Sequence, residues 1–535
     1  MRRGRLKTKA VGRPPFRLLA PTLISTLLLV AGQSTLHADE FRTPAISAVH
    51  VDWRAALDQL RSEVSAVPSA LTFSSPRRVP ASDPRSMPAL MQLNAVTSNI
   101  FEGIDQSTVP VLLPFDTAAF LEARASGAPA ELSLPHYQAD FRPVDLFEAG
   151  PAGYDAVFSL EPGDGLPHRT FAKPVEVQIT GSILTYNIND PLGGKGEPVR
   201  ALQAQFPDLR RVIREGYVRY AFTRFGVPYV VSIQCLDSVP SERRLACREA
   251  YPVAERFLKA LRITGGEASR VRTDIPSEVV ERPREWSTDF TYRPVGDLIV
   301  NSGYHKQGGR ADLTAFSQIR FPLERTPAFV HSQSFREHDK AGQLSGGYPW
   351  RDNFCESRSF DVGQCPAGFG HQGEDIRPAP CPVKSGEERC DPKHQAVVAV
   401  RDGIVIRSPK QQSVTLQVND SNEHIRFRYM HMNPSRMDAD GLLNGRQVGE
   451  GETIGVVSNY LDHPNGTTRH LHFDVQVFTR DGWLWVNPYV TLISAYERLI
   501  RGRGREIGPE IAGTPVTHAM PEDVIHPDMQ EGGEN

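Results

Sequence analysis

The clearest patterning along this chain is an alternation of apolar and polar residues. Val175, Val177 and Ile179 alternate with Glu176, Gln178 and Thr180, the two-residue period of a strand with one apolar face. The pattern predicts a half-buried strand over residues 175–183. Residues 217–225 and 229–235 predict paired strands turning at Gly226-Val227-Pro228, and the apolar run 109–113 predicts a buried strand. Helical spacing occurs over 53–67, with Ala55, Leu57, Leu60 and Val64 on one side, and over 199–215 and 253–263. Further on, six strand-like segments follow one another: 396–400, 404–406, 414–418, 425–429, 453–457 and 470–478, with turns at Asp402-Gly403 and Asn419-Asp420.

The order of these elements predicts an α+β multidomain chain. Its N-terminal α+β module spans 101–265 and its mainly antiparallel β domain spans 295–500. At 535 residues the chain exceeds one ordinary core. Residues 39–100 read as a helix followed by a Pro- and Ser-rich linker, residues 266–294 as a second linker, and residues 506–535 as a disordered tail rich in Pro, Gly and acids.

Composition narrows the class of protein. The formal net charge of −3 offers no basic excess, so nucleic-acid binding gains no support. Arg2, Arg3, Arg5, Lys7, Lys9, Arg13 and Arg17 precede any acidic residue, an apolar run follows over 18–31, and Ala38 precedes Asp39. This is the pattern of a secretory signal over residues 1–38, with an uncleaved anchor or a twin-arginine signal as variants. The apolar run is short for a membrane span. The expectation is an exported protein, periplasmic or secreted, with no integral membrane domain once the signal is removed. Six cysteines (Cys235, Cys247, Cys355, Cys365, Cys381 and Cys390) suit that compartment, and their spacing suggests nearest-neighbour disulfides. A structural zinc on the last four is the rival reading, although they form no C-x-x-C.

The chemistry concentrates in two histidine clusters, His371-Gln372-Gly373-Glu374-Asp375 and His470-Leu471-His472, with Tyr429-Met430-His431 between them. Residues two apart on a strand share a face, so His470 and His472 look into one groove while Leu471 and Phe473 face the core. His371 and Asp375 are close enough to reach one ion. Two imidazoles and a carboxylate with an open position form the zinc-hydrolase pattern, and non-haem iron accepts the same donors. The remaining imidazoles are available for proton transfer. Arg469 would border the groove, where it could meet a substrate carboxylate. Asp474, two residues after His472, could orient a ligand or lie on the surface. His136, His168, His394 and His463 read as surface or loop histidines, and Tyr429 as a strand aromatic.

Residues 365–490 resemble the M23 peptidases, the LytM or lysostaphin-type zinc metallopeptidases. The family's H-x-x-x-D stands at His371–Asp375, its A-D-G-x-V turn near Asp402-Gly403-Ile404-Val405, and its Y-x-H at Tyr429-Met430-His431. Its G-x-x-V-x-x-G-x-x-I-G run stands at 445–455 and its H-L-H-F at His470-Leu471-His472-Phe473. The resemblance implies His371, Asp375 and His472 as ligands of Zn2+, with His431 and His470 as the catalytic histidines. It implies a zinc metalloendopeptidase that hydrolyses peptide cross-links of bacterial peptidoglycan through a metal-activated water. One departure is the insertion at 378–394, which carries Cys381 and Cys390 and would form a disulfide-pinned loop beside the groove. Other readings remain: a catalytically inactive LytM-type module that binds or activates another cell-wall hydrolase, a secreted protease aimed at a host, and a non-haem iron oxidase. The 101–265 module carries no catalytic signature; it could target the enzyme or cover its groove.

Overall fold

The computed structural model describes most of residues 44–268 and 314–500, together with 279–280; the main stretches left out between them are 66–88, 189–195, 236–243, 331–351, 356–363, 379–394 and 460–468. The signal over 1–38, the linker at 68–88, most of the linker at 266–294, the tail at 506–535 and the loop carrying Cys381 and Cys390 therefore lie outside the described residues. The fold mixes α and β structure, with mostly antiparallel sheets and few helices. Among the described residues no helix is long and apolar enough to cross a membrane.

Among the described residues, two large sheets organise the molecule. The first has seven strands in the order Val144–Gly150, Gly153–Leu160, Val175–Ser182, Val227–Gln234, Tyr217–Arg224, Arg210–Arg214 and Glu197–Pro198. The second has eight: Ala328–Val330, Glu374–Pro378, Leu471–Thr479, His424–Met430, Val414–Asn419, Gly403–Ile406 and Gln447–Val448 in order, with Gly482–Val486 paired to Leu471–Thr479. Both belong to one compact unit, Phe41–Asn535.

The hairpin between Tyr217–Arg224 and Val227–Gln234 turns through Phe225 and Gly226, both at positive φ (54° and 78°). That is the two-residue turn whose twist matches its strands, and it is centred before Val227. A Cβ on Gly226 would lie 2.3 Å from the carbonyl oxygen of His50, so only glycine fits. The helix Trp53–Ser65 starts at Asp52, whose carboxylate accepts the Ala55 amide at 2.9 Å. It buries Trp53, Ala56 and Leu60, while Ala55 is exposed.

Three expectations change. The span 199–215 is not a helix: a short 3₁₀ turn, Arg200–Leu202, leads to the strand Arg210–Arg214. Pro207 removes a helix-interior donor, and the spacing of Leu202, Phe206 and Leu209 serves burial in the core instead. The helix expected over 253–263 runs Tyr251–Ala260 and gives way to the strand Arg262–Gly265, which pairs with Val111–Leu113. The strand Val175–Ser182 is buried on both faces rather than one. Val177 and Ile179 enter a core under the helices. Glu176, Gln178 and Thr180 face the second sheet, where they meet polar partners: Thr180 bonds Asp155 and receives the Trp483 indole N–H, and Gln178 accepts from Arg426.

The sheets thus pack through a layer of buried charge. Asp155 of the first sheet accepts from His424 Nε2 at 2.6 Å and Arg426 at 2.8 Å. Glu176 takes hydrogen bonds from Ser408 and Gln411. The opposite face of the second sheet (Ile425, Phe427, Tyr429, Leu471, Phe473, Val475, Val477) forms an apolar core with the helix Tyr489–Ile500. Cys235 and Cys247 form a disulfide, as nearest-neighbour pairing expects. Cys355 is also disulfide-bonded.

Candidate metal centre

Two neighbouring antiparallel strands build the site. Glu374–Pro378 pairs with Leu471–Thr479 so that Asp375 stands opposite His472. Opposite residues share a face, and alternation turns Leu471 and Phe473 into the core. His371 approaches from just before the first strand. Gly373 permits the approach: a Cβ there would lie 2.4 Å from the Phe473 carbonyl oxygen and 2.9 Å from His472 Nε2.

Three atoms converge. His371 Nε2 lies 2.8 Å from His472 Nδ1 and 3.0 Å from Asp375 Oδ1, and His472 Nδ1 lies 3.2 Å from the same oxygen. Ligands about 2.0–2.1 Å from a tetrahedral zinc stand roughly 3.3 Å apart, so the triangle is slightly tighter than that. The three residues are 8%, 1% and 5% exposed, which leaves little water to solvate them.

The other nitrogens of both rings have acceptors. His371 Nδ1 donates to the Asn353 carbonyl at 3.0 Å, and His472 Nε2 donates to Asp474 Oδ2 at 3.1 Å. With those protons so placed in neutral rings, His371 Nε2, His472 Nδ1 and Asp375 Oδ1 aim lone pairs at one another. Such a buried triangle repels itself unless a cation or extra protons sit within it. Burial pushes the His472 imidazole down, but hydrogen bonds to Asp375 and Asp474 outweigh it and hold its pKa above the ordinary value. The donor set therefore fits a divalent metal, with the outer partners that metal-binding histidines use.

The two further histidines stand alongside. His470, fully buried, places Nε2 3.2 Å from Asp375 Oδ1. His431 follows Met430, the residue opposite His472, and its ring centre lies 4.7 Å from that of His470 and 6.0 Å from that of His472. Its φ of 72° is unusual for a residue with a Cβ. Burial, reinforced by His470 and His472, drives its pKa well below the usual imidazole value, so it is neutral. Its Nδ1 donates to Gln412 Oε1 at 3.1 Å, leaving Nε2 with a lone pair.

All five sequence-selected residues (His371, Asp375, His431, His470 and His472) come together. Tyr429 points into the apolar core, where its hydroxyl accepts the Val400 amide. Arg469 is buried and lines a cavity of about 180 Å³ with Met432, Arg436 and Val457. His136 and His168 are exposed, and His394 and His463 lie outside the described residues. Asp474 is a buried partner of His472, held as a carboxylate: burial raises its pKa, but Arg428 and His472 lower it further.

Sequence reasoning missed several supporting residues. Asn353 fixes the His371 ring and Gln412 the His431 ring. The wholly buried Glu374 accepts the Asn353 amide at 3.2 Å; burial and then Asp352 raise its pKa well above the ordinary value, so it keeps its proton. Arg428 and Trp485 bind Asp474 at 2.7 and 2.8 Å. Only Arg428 carried a signal, because it stands two residues before Met430 on a strand that must flank the histidines.

No protein-family model and no curated protein matches the chain. Among solved structures, it is similar to one described as a glycyl-glycine endopeptidase LytM from Ruminococcus gnavus, at 18% identity over 37% of this chain and 73% of that chain, with a TM-score of 0.21.

Proposed function

We propose that this protein is an exported zinc-dependent endopeptidase that hydrolyses peptide cross-links of bacterial peptidoglycan. The observation that carries the reading is the buried triangle of His371 Nε2, Asp375 Oδ1 and His472 Nδ1, with the imidazoles of His431 and His470 beside it. The motif order that resembles the M23 family supports the substrate class.

His371, Asp375 and His472 would hold the metal. When bound, zinc supplies Lewis acidity towards a peptide carbonyl and acidifies a water. His431, neutral and with Nε2 free of the Gln412 bond, takes a proton from the attacking water and returns it to the leaving amine. His470, donating from Nε2 to Asp375, holds that carboxylate in place. Burial of the triangle strengthens each of these interactions by excluding water.

The test uses the mature chain from Asp39. Soluble muropeptide release from purified peptidoglycan is assayed with metal analysis, beside His371→Ala and His472→Ala. Stoichiometric zinc, and product that vanishes in both variants, supports the reading. The near-complete burial of the ligands favours a second one, a non-catalytic LytM-type module that binds or activates another cell-wall hydrolase. That reading expects no product from the wild-type chain alone.

A further inference from the structure

The first sheet reaches the metal centre through an unbroken set of contacts. Asp474, with no exposed surface, accepts from three groups: His472 Nε2 at 3.1 Å and Arg428 Nε at 2.7 Å on Oδ2, and Trp485 Nε1 at 2.8 Å on Oδ1. A carboxylate tied to three donors cannot swing. It therefore fixes both the tautomer and the ring plane of His472, and leaves Nδ1 as the atom facing His371 and Asp375.

Trp485 is in turn clamped. The Arg428 guanidinium lies 4.9 Å from its ring centre and the Arg219 guanidinium 5.2 Å from it. Arg219 belongs to the strand Tyr217–Arg224 of the first sheet, is 5% exposed, and donates to the Trp483 carbonyl. A buried cation stacked on an indole holds the ring more firmly than packing alone. The path runs from the N-terminal sheet to the ligand nitrogen as Arg219, Trp485, Asp474 and His472.

We propose that Asp474 and Arg219 are positioning residues for the metal centre, so that the N-terminal sheet acts as its outer support rather than as a removable cover. The inference rests on the metal reading of His371, Asp375 and His472. Neither residue touches substrate; both act through His472.

The experiment measures zinc affinity of the full mature chain by competition with a chromophoric chelator at fixed pH, with ¹⁵N NMR of the histidine rings reporting which nitrogen of His472 carries the proton. Asp474→Asn is expected to weaken zinc binding by about 10–100-fold, the range for such outer partners, and to change the His472 ring signals. Arg219→Met and Trp485→Phe, which keep most of the packing, are expected to weaken it by about 3–10-fold, as partial losses of the same support. Asp155→Asn is the structural control: it disturbs the same layer between the sheets without touching Trp485 or Asp474, and is expected to leave zinc affinity unchanged. Unaltered affinity in Asp474→Asn, or an equal loss in Asp155→Asn and Arg219→Met, overturns the proposal. Should Asp474→Asn fail to fold, Trp485→Phe decides alone, and wild-type affinity there overturns it. A wild-type chain that binds no zinc rejects the metal reading itself, a result separate from any difference between variants.

Discussion

Asp375 and His472 face each other across one rung of the ladder between Glu374–Pro378 and Leu471–Thr479, and His472 Nδ1 lies 3.2 Å from Asp375 Oδ1. Backbone register, rather than a flexible loop, sets two corners of the candidate metal triangle, which gives the site a rigid base. Asp375→Ala removes a corner without disturbing the ladder. Zinc affinity is expected to fall by more than about 100-fold, beyond what outer partners give, while the metal-free protein keeps a cooperative thermal transition. Metal analysis after dialysis and a melting curve check both halves.

His431 stands beside the three convergent residues as a neutral ring bonded to Gln412. As a proton carrier it should leave metal binding alone. His431→Ala is expected to lower kcat by about 10²–10⁴-fold at unchanged zinc stoichiometry. Gln412→Leu, which removes only the acceptor that orients the ring, should lower it by a smaller factor. Loss of zinc in His431→Ala would place this residue among the ligands instead.

The site was more legible in the sequence than the fold. Histidines two apart on a strand must share a face, so His470-Leu471-His472 announced a groove from periodicity alone. The H-x-x-x-D spacing brought His371 and Asp375 within reach of it. The supporting residues gave no such signal, because Asn353 acts through its carbonyl and Gln412 through a contact 19 residues away from His431. The polar face of Val175–Ser182 was misread for a related reason. Alternation separates apolar from polar faces, but it does not say whether the polar face meets water or another sheet. Glu176, Gln178 and Thr180 meet another sheet. The helix expected at 199–215 failed where a proline overrode apolar spacing.

The layer between the sheets should make stability depend on pH. Glu148 has its carboxyl pushed up to about 8, first by burial and then by the Asp155 carboxylate, against the opposing pull of Asn419 and Arg426. Its folded-state pKa lies above the unfolded value of 4.5, so the folded protein keeps a proton that the unfolded chain releases. Its contribution is fully present below about pH 4.5 and is lost as pH rises to about 8. Asp155 runs the other way: burial is outweighed by His424 and Arg426, its pKa is lowered, and its contribution is lost as pH falls through that lowered value. Melting temperature should decline from about pH 5 to about pH 8, and Glu148→Gln should flatten that decline. Equal slopes in the two proteins would remove Glu148 as its source.

Asp155 is the centre of the contact between the sheets, with His424 Nε2 at 2.6 Å, Arg426 at 2.8 Å and Thr180 at 2.5 Å. It is 1% exposed, and Arg426 is 5% exposed, lying 3.9 Å from the centre of the Trp483 ring. Breaking a buried pair from one side costs more than the pair contributes, because the remaining charge stays buried without its counter-ion. Asp155→Asn preserves the volume and is expected to destabilise the protein by about 3–5 kcal/mol. The denaturant midpoint should fall while the slope of the transition is kept, since the surface exposed on unfolding is unchanged. Arg426→Met on its own should also destabilise, because Asp155 would then be held by His424 and Thr180 alone. Combined, the two substitutions should cost less than their sum by about 1–3 kcal/mol, the coupling between directly contacting charges. Additivity within about 0.5 kcal/mol would mean that shape alone joins the two sheets, and that the buried charges merely tolerate one another.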